Sequence, residues 1–158
     1  MAQVDYFIKF DGIKGESADA KHKDEIDVES WSFGETNTAG GSGGGGGGKV
    51  AMQDFHFTMQ LNRASPALMR ACATGQHIKT AQLTCRKAGG SQVEFLKIKL
   101  SDVLVSSFEP NGSRGKDAPD LPTEAVSLNF VKIDVLYTVD RTGEVVETAF
   151  DQASGRVG

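Results

Sequence analysis

The sequence predicts a mainly β domain, an antiparallel barrel or two-sheet sandwich with one short flanking helix. Three observations carry that prediction. Apolar and polar residues alternate cleanly over 53–61, with Phe55, Phe57, Met59 and Leu61 set against Asp54, His56, Thr58 and Gln60. Glycine- and aspartate-rich turn signals separate several further segments of the same period. Only one stretch, Ser65 to Thr74, has helical spacing with end signals.

Taken in order, Val4, Tyr6, Ile8 and Phe10 form one face of a first strand. Asp11-Gly12 and Lys14-Gly15 turn the chain, and the polar residues 16–24 read as an exposed loop carrying His22. Glu25 to Gly34 reads as a second strand. Ile26 and Val28 share one parity and Trp31 and Phe33 the other, which implies a bulge or burial on both faces. A glycine tract, Gly40 to Gly48, then precedes the 53–61 strand. In the helix, Ser65 is the expected N-cap, Pro66 the first helical position and Gly75 the left-handed C-terminal cap.

Strands resume over 78–87, with Ala81, Leu83 and Cys85 on one face, and over 93–108, joined by a hairpin turn at 88–91. A second long loop covers 109–123. A long strand over 124–139 swaps its buried parity between Phe130 and Val131, a habit of barrels and of strands shared by two sheets. A short strand over 144–150 and a loose tail over 151–158 complete the chain, for about seven strands in a single domain spanning 1–158.

Composition narrows the function. A formal charge of −4 argues against a general nucleic-acid binder. No apolar run is long enough to cross a bilayer, so no membrane insertion is expected, and the N-terminus lacks the basic start and apolar core of a cleaved leader. Cys72 and Cys85 make no metal or disulfide pattern and are expected to be reduced and buried.

Chemical motifs fail on their details. Gly43 to Lys49 fits G-x-x-x-x-G-K, but Val50 follows where a phosphate loop needs Ser or Thr for magnesium. Gly40-Gly41-Ser42-Gly43-Gly44 fits G-x-S-x-G inside a tract too flexible for a rigid nucleophile turn. His22, His56 and His77 lack ligand spacing, so no metal, no cofactor and no enzymatic activity are expected. Arg86, Lys87, Lys97 and Lys99 form a basic stripe if 78–87 and 93–108 pair. The stripe is either a solvated face or a subunit–subunit contact with Asp24, Glu25 and Asp27 of a neighbouring copy.

The motifs F-I-K-F-D-G-I-K-G-E-S, E-I-D-V-E-S-W-S-F-G, the glycine loop before V-A-M-Q-D-F-H-F-T, S-P-A-L-M-R-A-C-A-T-G-Q-H, A-Q-L-T-C-R-K-A-G-G and L-V-S-S-F-E-P-N-G-S occur in that order. Together they resemble the Hcp (haemolysin-coregulated protein) family of type VI secretion, from about Val4 to Tyr137. The resemblance implies a phage tail-tube-like barrel and homo-hexameric rings that stack into a hollow tube. It implies a contractile sheath around the tube, a VgrG spike at its tip, and small secreted effectors as cargo. It also implies assembly in the cytoplasm and export without a signal peptide. By the same resemblance the loop 38–49, with Thr38, Gly40, Gly41, Ser42, Gly43, Gly44, Gly48 and Lys49, is expected to stack ring on ring. Ser32 and Ser113 are expected to face the lumen, and the helix to lie on the side away from it. A phage-derived tail-tube protein and a monomeric small-molecule-binding β-barrel are the alternatives.

Overall fold

The computed structural model describes residues 4–38, 49–89 and 92–157. Its strands are β1 (Val4–Phe10), β2 (Ile26–Asp27), β3 (Ser30–Ser32), β4 (Glu35–Thr38), β5 (Lys49–Met52), β6 (Phe55–Gln60), β7 (His77–Lys87), β8 (Glu94–Asn111), β9 (Thr123–Thr138), β10 (Val145–Asp151) and β11 (Arg156–Val157). One helix, α1 (Ser65–Thr74), separates β6 from β7. All strand pairings are antiparallel. Nine strands form one sheet in the order β11-β10-β9-β8-β7-β1-β2, with β6 joined to β9 and β3 to β6. Among the described residues β4 and β5 pair only with each other.

The sheet rolls around one core because its long strands exchange their buried faces. In β9, Val126, Leu128 and Phe130 are buried before the exchange and Ile133 after it, the parity swap that the sequence shows. The same exchange occurs in β8, between Leu100 and Val103, and in β7, between Ile78 and Ala81. Register places all three in one row, since Ile78 pairs with Val103 and Val103 with Phe130, while Thr80 pairs with Ser101 and Ser101 with Lys132. Asp102 stands in the middle of that row at φ 54. Aspartate tolerates the left-handed region better than most residues, and here its carboxylate meets His77 Nδ1 at 2.7 Å. On one side of the kink β9 pairs with β6, and on the other with β10. A bulge at Ser106 adds to the bend.

The core holds Phe10, Phe55, Phe57, Met59, Leu83, Ile98, Leu100 and Leu128, all at most 1% exposed. Trp31 and Phe33 stack against Phe55 at its edge. Leu68 and Ala71 of α1 close one side.

Several sequence expectations need correction. The segment read as one strand over 25–34 is divided into β2 and β3, and β4 and β5 add a hairpin that alternation did not signal. Ala64, not Ser65, is the N-cap. The Ser65 hydroxyl instead accepts from Asn62 N–H at 3.0 Å and donates to the buried Glu124 carboxylate at 2.5 Å. Gly75 does take the left-handed cap, at φ 70, and its N–H reaches Ala71 O. The tail carries a short strand, with Arg156 and Val157 paired to Asp151 and Phe150. Gly90 and Ser91 of the expected 88–91 turn lie outside the described residues. Cys85 is buried and Cys72 half-buried, and both are free thiols.

Candidate assembly surfaces

Three surfaces carry the residues singled out in the sequence. The first covers the outer face of β1, β7 and β8. Residues 14–25, which include the 16–24 stretch expected to be an exposed loop, are fastened onto this face. Gly15 approaches so closely that an added Cβ would sit 2.5 Å from Glu25 O, and its N–H donates to Asp24 O at 2.7 Å. Only glycine fits there.

Farther along the loop, Asp19 receives two hydrogen bonds from Arg86 at 2.9 Å, and Asp5 receives a third. The Arg86 guanidinium holds the Asp19 carboxyl down to about 2, against the opposing effect of burial. Asp19 and Asp5 in turn raise Arg86 above its ordinary value. Next to them, His22 bridges Glu25, at 3.0 Å from Nδ1, and Glu94, at 2.7 Å from Nε2. Burial alone would raise Glu94, but its contacts with His22 and Lys97 outweigh it and hold the carboxyl below its ordinary value. Beneath this network lies Phe7, on the outward parity of β1 yet only 3% exposed. The His22 ring stacks on it at 4.5 Å, and the Arg86 guanidinium lies 4.9 Å from its centroid.

This arrangement revises the expected basic stripe. Arg86 is 3% exposed and internally paired, so it is not a free surface cation. Lys87 pairs with Asp140 at the strand end, and Glu25 is engaged by His22. Lys97 and Lys99 remain on the outer face, with Lys97 3.4 Å from Glu94. Asp24 is half-buried at φ 64. Asp27 is exposed at the sheet edge, and local burial followed by repulsion from Asp5 and Asp19 raises its carboxyl above its ordinary value. Sequence reasoning missed Asp5, Asp19 and Phe7, since partners as far apart as Asp19 and Arg86 leave no local signature.

The second surface is the polar face of β3, β6, β9 and β8. Register sets Ser32 opposite His56 and His56 opposite Ser127. His56 Nδ1 lies 2.7 Å from Ser127 Oγ, Ser30 Oγ lies 2.6 Å from Thr58 Oγ1, and Asp54 accepts from Ser106 and Asn129. The result is a hydroxyl-rich wall in which Asp54 is satisfied by its neighbours and Glu109, opposite Ala125, is exposed at the β8 side. The His56–Ser127 pair has the reach of a base and a nucleophile, but Asp54 bonds elsewhere and does not orient the imidazole. Ser113 is exposed in the loop between β8 and β9, apart from this wall. Among the described residues no group of three His, Cys, Asp or Glu is arranged to hold a metal ion.

The third surface is the arm formed by β4 and β5. Glu35 pairs with Met52 and Thr38 with Lys49, so the arm's strands lead to and from the glycine tract. Gly40, Gly41, Ser42, Gly43, Gly44 and Gly48 lie outside the described residues. A cleft of about 500 Å³ separates the arm from β9 and β10, lined by Phe33, Val50, Met52, Ile133, Phe150 and Val157 among others. In its lining Val50 and Val157 are 39% and 74% exposed, and farther along the same face of β9 and β10 the paired Tyr137 and Val146 are 45% and 52% exposed. A two-stranded hairpin has little stability by itself, and exposed apolar residues grouped on one face suit a contact surface, although Leu61, Met69 and Leu121 are also exposed elsewhere.

Comparison with known proteins agrees with this architecture. Residues 7–137 match the family described as "Type VI secretion system effector, Hcp". "Protein hcp1" of Pseudomonas aeruginosa is 50% identical over 137 residues, covering 85% of this chain and 83% of that protein. The crystal structure of Hcp1 from Salmonella typhimurium superposes with a TM-score of 0.83 at 33% identity, over 99% of this chain and 100% of that one. A type VI secretion system effector from Yersinia pestis gives 0.79 at 35% identity, over 93% and 99%. With the family matched over most of its length and the fold shared almost end to end, this chain belongs to the Hcp family of type VI secretion tube proteins.

Proposed function

We propose that this chain is a ring-forming subunit of the secretion tube. Six copies close a ring, rings stack into a hollow tube, and the tube is expelled by a contractile sheath behind a VgrG spike. Small effectors travel in its lumen. The subunit is made and assembled in the cytoplasm and exported without a signal peptide.

The observation that carries this reading is the arm, a hairpin outside the main sheet, exposed along most of its length and continuing into the glycine tract. Such an element is ordered by a neighbour. In this reading the stacking contact comprises Thr38, the tract and Lys49, while the apolar edge around Tyr137 and Val146 packs against the adjacent copy in the ring. Asp24 and Asp27 form the rim of that contact, while Lys97 and Lys99 stay on the solvated outer face. The hydroxyl wall with Ser32 lines the lumen and gives cargo a mainly neutral polar surface; Ser113 faces the lumen from the loop between β8 and β9. A ring carries six times the formal charge of −4, so stacking depends on specific contacts and weakens at low salt. A small-molecule carrier is a poorer reading, because Phe10, Phe55, Phe57 and Met59 fill the interior.

Light scattering after size exclusion tests the ring. The expected mass is six times 16.8 kDa, or about 100 kDa, and a monomer at high concentration would overturn the reading. Deleting 40–48 should preserve that mass and abolish tubes in electron micrographs. Rings that fall apart after the deletion would remove the stacking role from the tract.

A further inference from the structure

We propose that the lysine-lined groove over β1, β7 and β8 docks an extended acidic peptide segment of a partner protein. The groove measures about 580 Å³, and Lys9, Lys21, Lys79, Lys97 and Lys99 converge on it. Lys9 and Lys99 flank Gln82, since Lys9 pairs with Gln82 and Gln82 with Lys99. Lys97 lies two residues from Lys99 on the same face, opposite Thr84.

Among the described residues this charge is answered only in part: Lys97 lies 3.4 Å from Glu94, and Asp134 stands opposite Lys99 in the β8–β9 register. Lys9, Lys21, Lys79 and Lys99 make no ion pair with a described residue. Two of the groove's carboxylates, Glu25 and Glu94, are engaged by His22. Asp11 is the other acidic residue lining it. A cationic groove on a chain of charge −4 is therefore a local inversion of the overall field. Clustered like charges repel until an anion enters.

The spacing selects the anion. Lysines two apart on a strand stand about 7 Å apart, and lysines across two strand intervals about 10 Å. Carboxylates on alternate residues of an extended chain recur at the same interval of about 7 Å. A nucleic acid fits less well, because its uninterrupted phosphates would also meet Asp134 and Asp151 past Lys99, where a peptide can place neutral residues. The groove lies within one chain, so the inference is independent of ring formation.

The test is fluorescence polarisation with a labelled peptide of alternating Glu and Ser. Binding is expected at about 0.02 M salt and should fade towards about 0.3 M. The double variant Lys9→Gln/Lys99→Gln should bind about tenfold more weakly, with unchanged circular dichroism. Lys116→Gln, in the exposed loop between β8 and β9, should bind like the parent. Failure of the peptide to bind, equal binding by the double variant, or equal or tighter binding of an oligothymidine of matched charge would each overturn the proposal.

Discussion

The clamped face and the arm edge contrast in a way their residues do not suggest. Residues 14–25 are polar and close to turn signals, yet they are held by a buried arginine, a bridging histidine and a glycine without room for a Cβ. The arm edge is rich in valine, yet Val145, Val146 and Val157 are more than half exposed. Polar residues are ordered where they find partners within the chain, and in the proposed assembly apolar residues stay bare because their partner belongs to another copy. On that reading the clamp adds to the stability of the fold and the arm edge serves assembly.

The largest test removes the centre of the clamp. Phe7→Ala takes away a buried ring held between His22 and Arg86 and should cost about 3 kcal/mol in denaturant unfolding. A loss below about 1 kcal/mol would mean that the loop repacks over the vacancy. On the other region, Val146→Glu should leave the circular dichroism unchanged, because a surface substitution typically shifts stability by less than about 0.5 kcal/mol. It should nevertheless lower the mass in light scattering from ring towards monomer. If both substitutions damage only folding, or both damage only assembly, the division between the two regions fails.

The sequence showed this division unevenly. The β6 alternation, the Gly75 cap and the parity swap in β9 were legible because each is set by residues next to one another. Asp102 was not, since a single left-handed residue leaves the alternation on either side intact. Nor was Phe7, because its outward parity is correct for β1 and only a loop from elsewhere covers it. Arg86 and Lys99 look alike in the sequence. One is buried against Asp19 and the other is bare, and that difference is tertiary. The arm was hidden by its composition, with Thr36, Asn37 and Ala51 offering no apolar face to mark a strand.

Acid should loosen the clamp before it melts the core. The folded Asp19 carboxyl lies at about 2, below its value in an unfolded chain. Its contribution to stability is thus complete above about pH 4 and disappears as the pH falls through about 2. Glu94 is lowered and acts in the same direction. Asp27 is raised and acts in the opposite one, so its protonation relieves repulsion on the way down. Amide exchange followed from pH 5 to about pH 2 should show residues 14–25 losing protection ahead of β6. Simultaneous loss would show that the clamp has no separate acid response.

The smallest effect to measure is thiol reactivity, and it asks whether the clamped half opens by itself. Burial pushes the Cys85 thiol up to about 12, with a small opposing effect from Trp31. At pH 8 about one thiol in 10⁴ is then ionised, so iodoacetamide can modify Cys85 only when β7 is exposed. Cys72 on α1 is half-buried and should label first. Gly15→Ala forces the loop away from Glu25 O and should accelerate Cys85 labelling while leaving Cys72 unchanged. Equal acceleration of both thiols would mean that the loop and the helix open as one unit, and that stability is shared across the subunit.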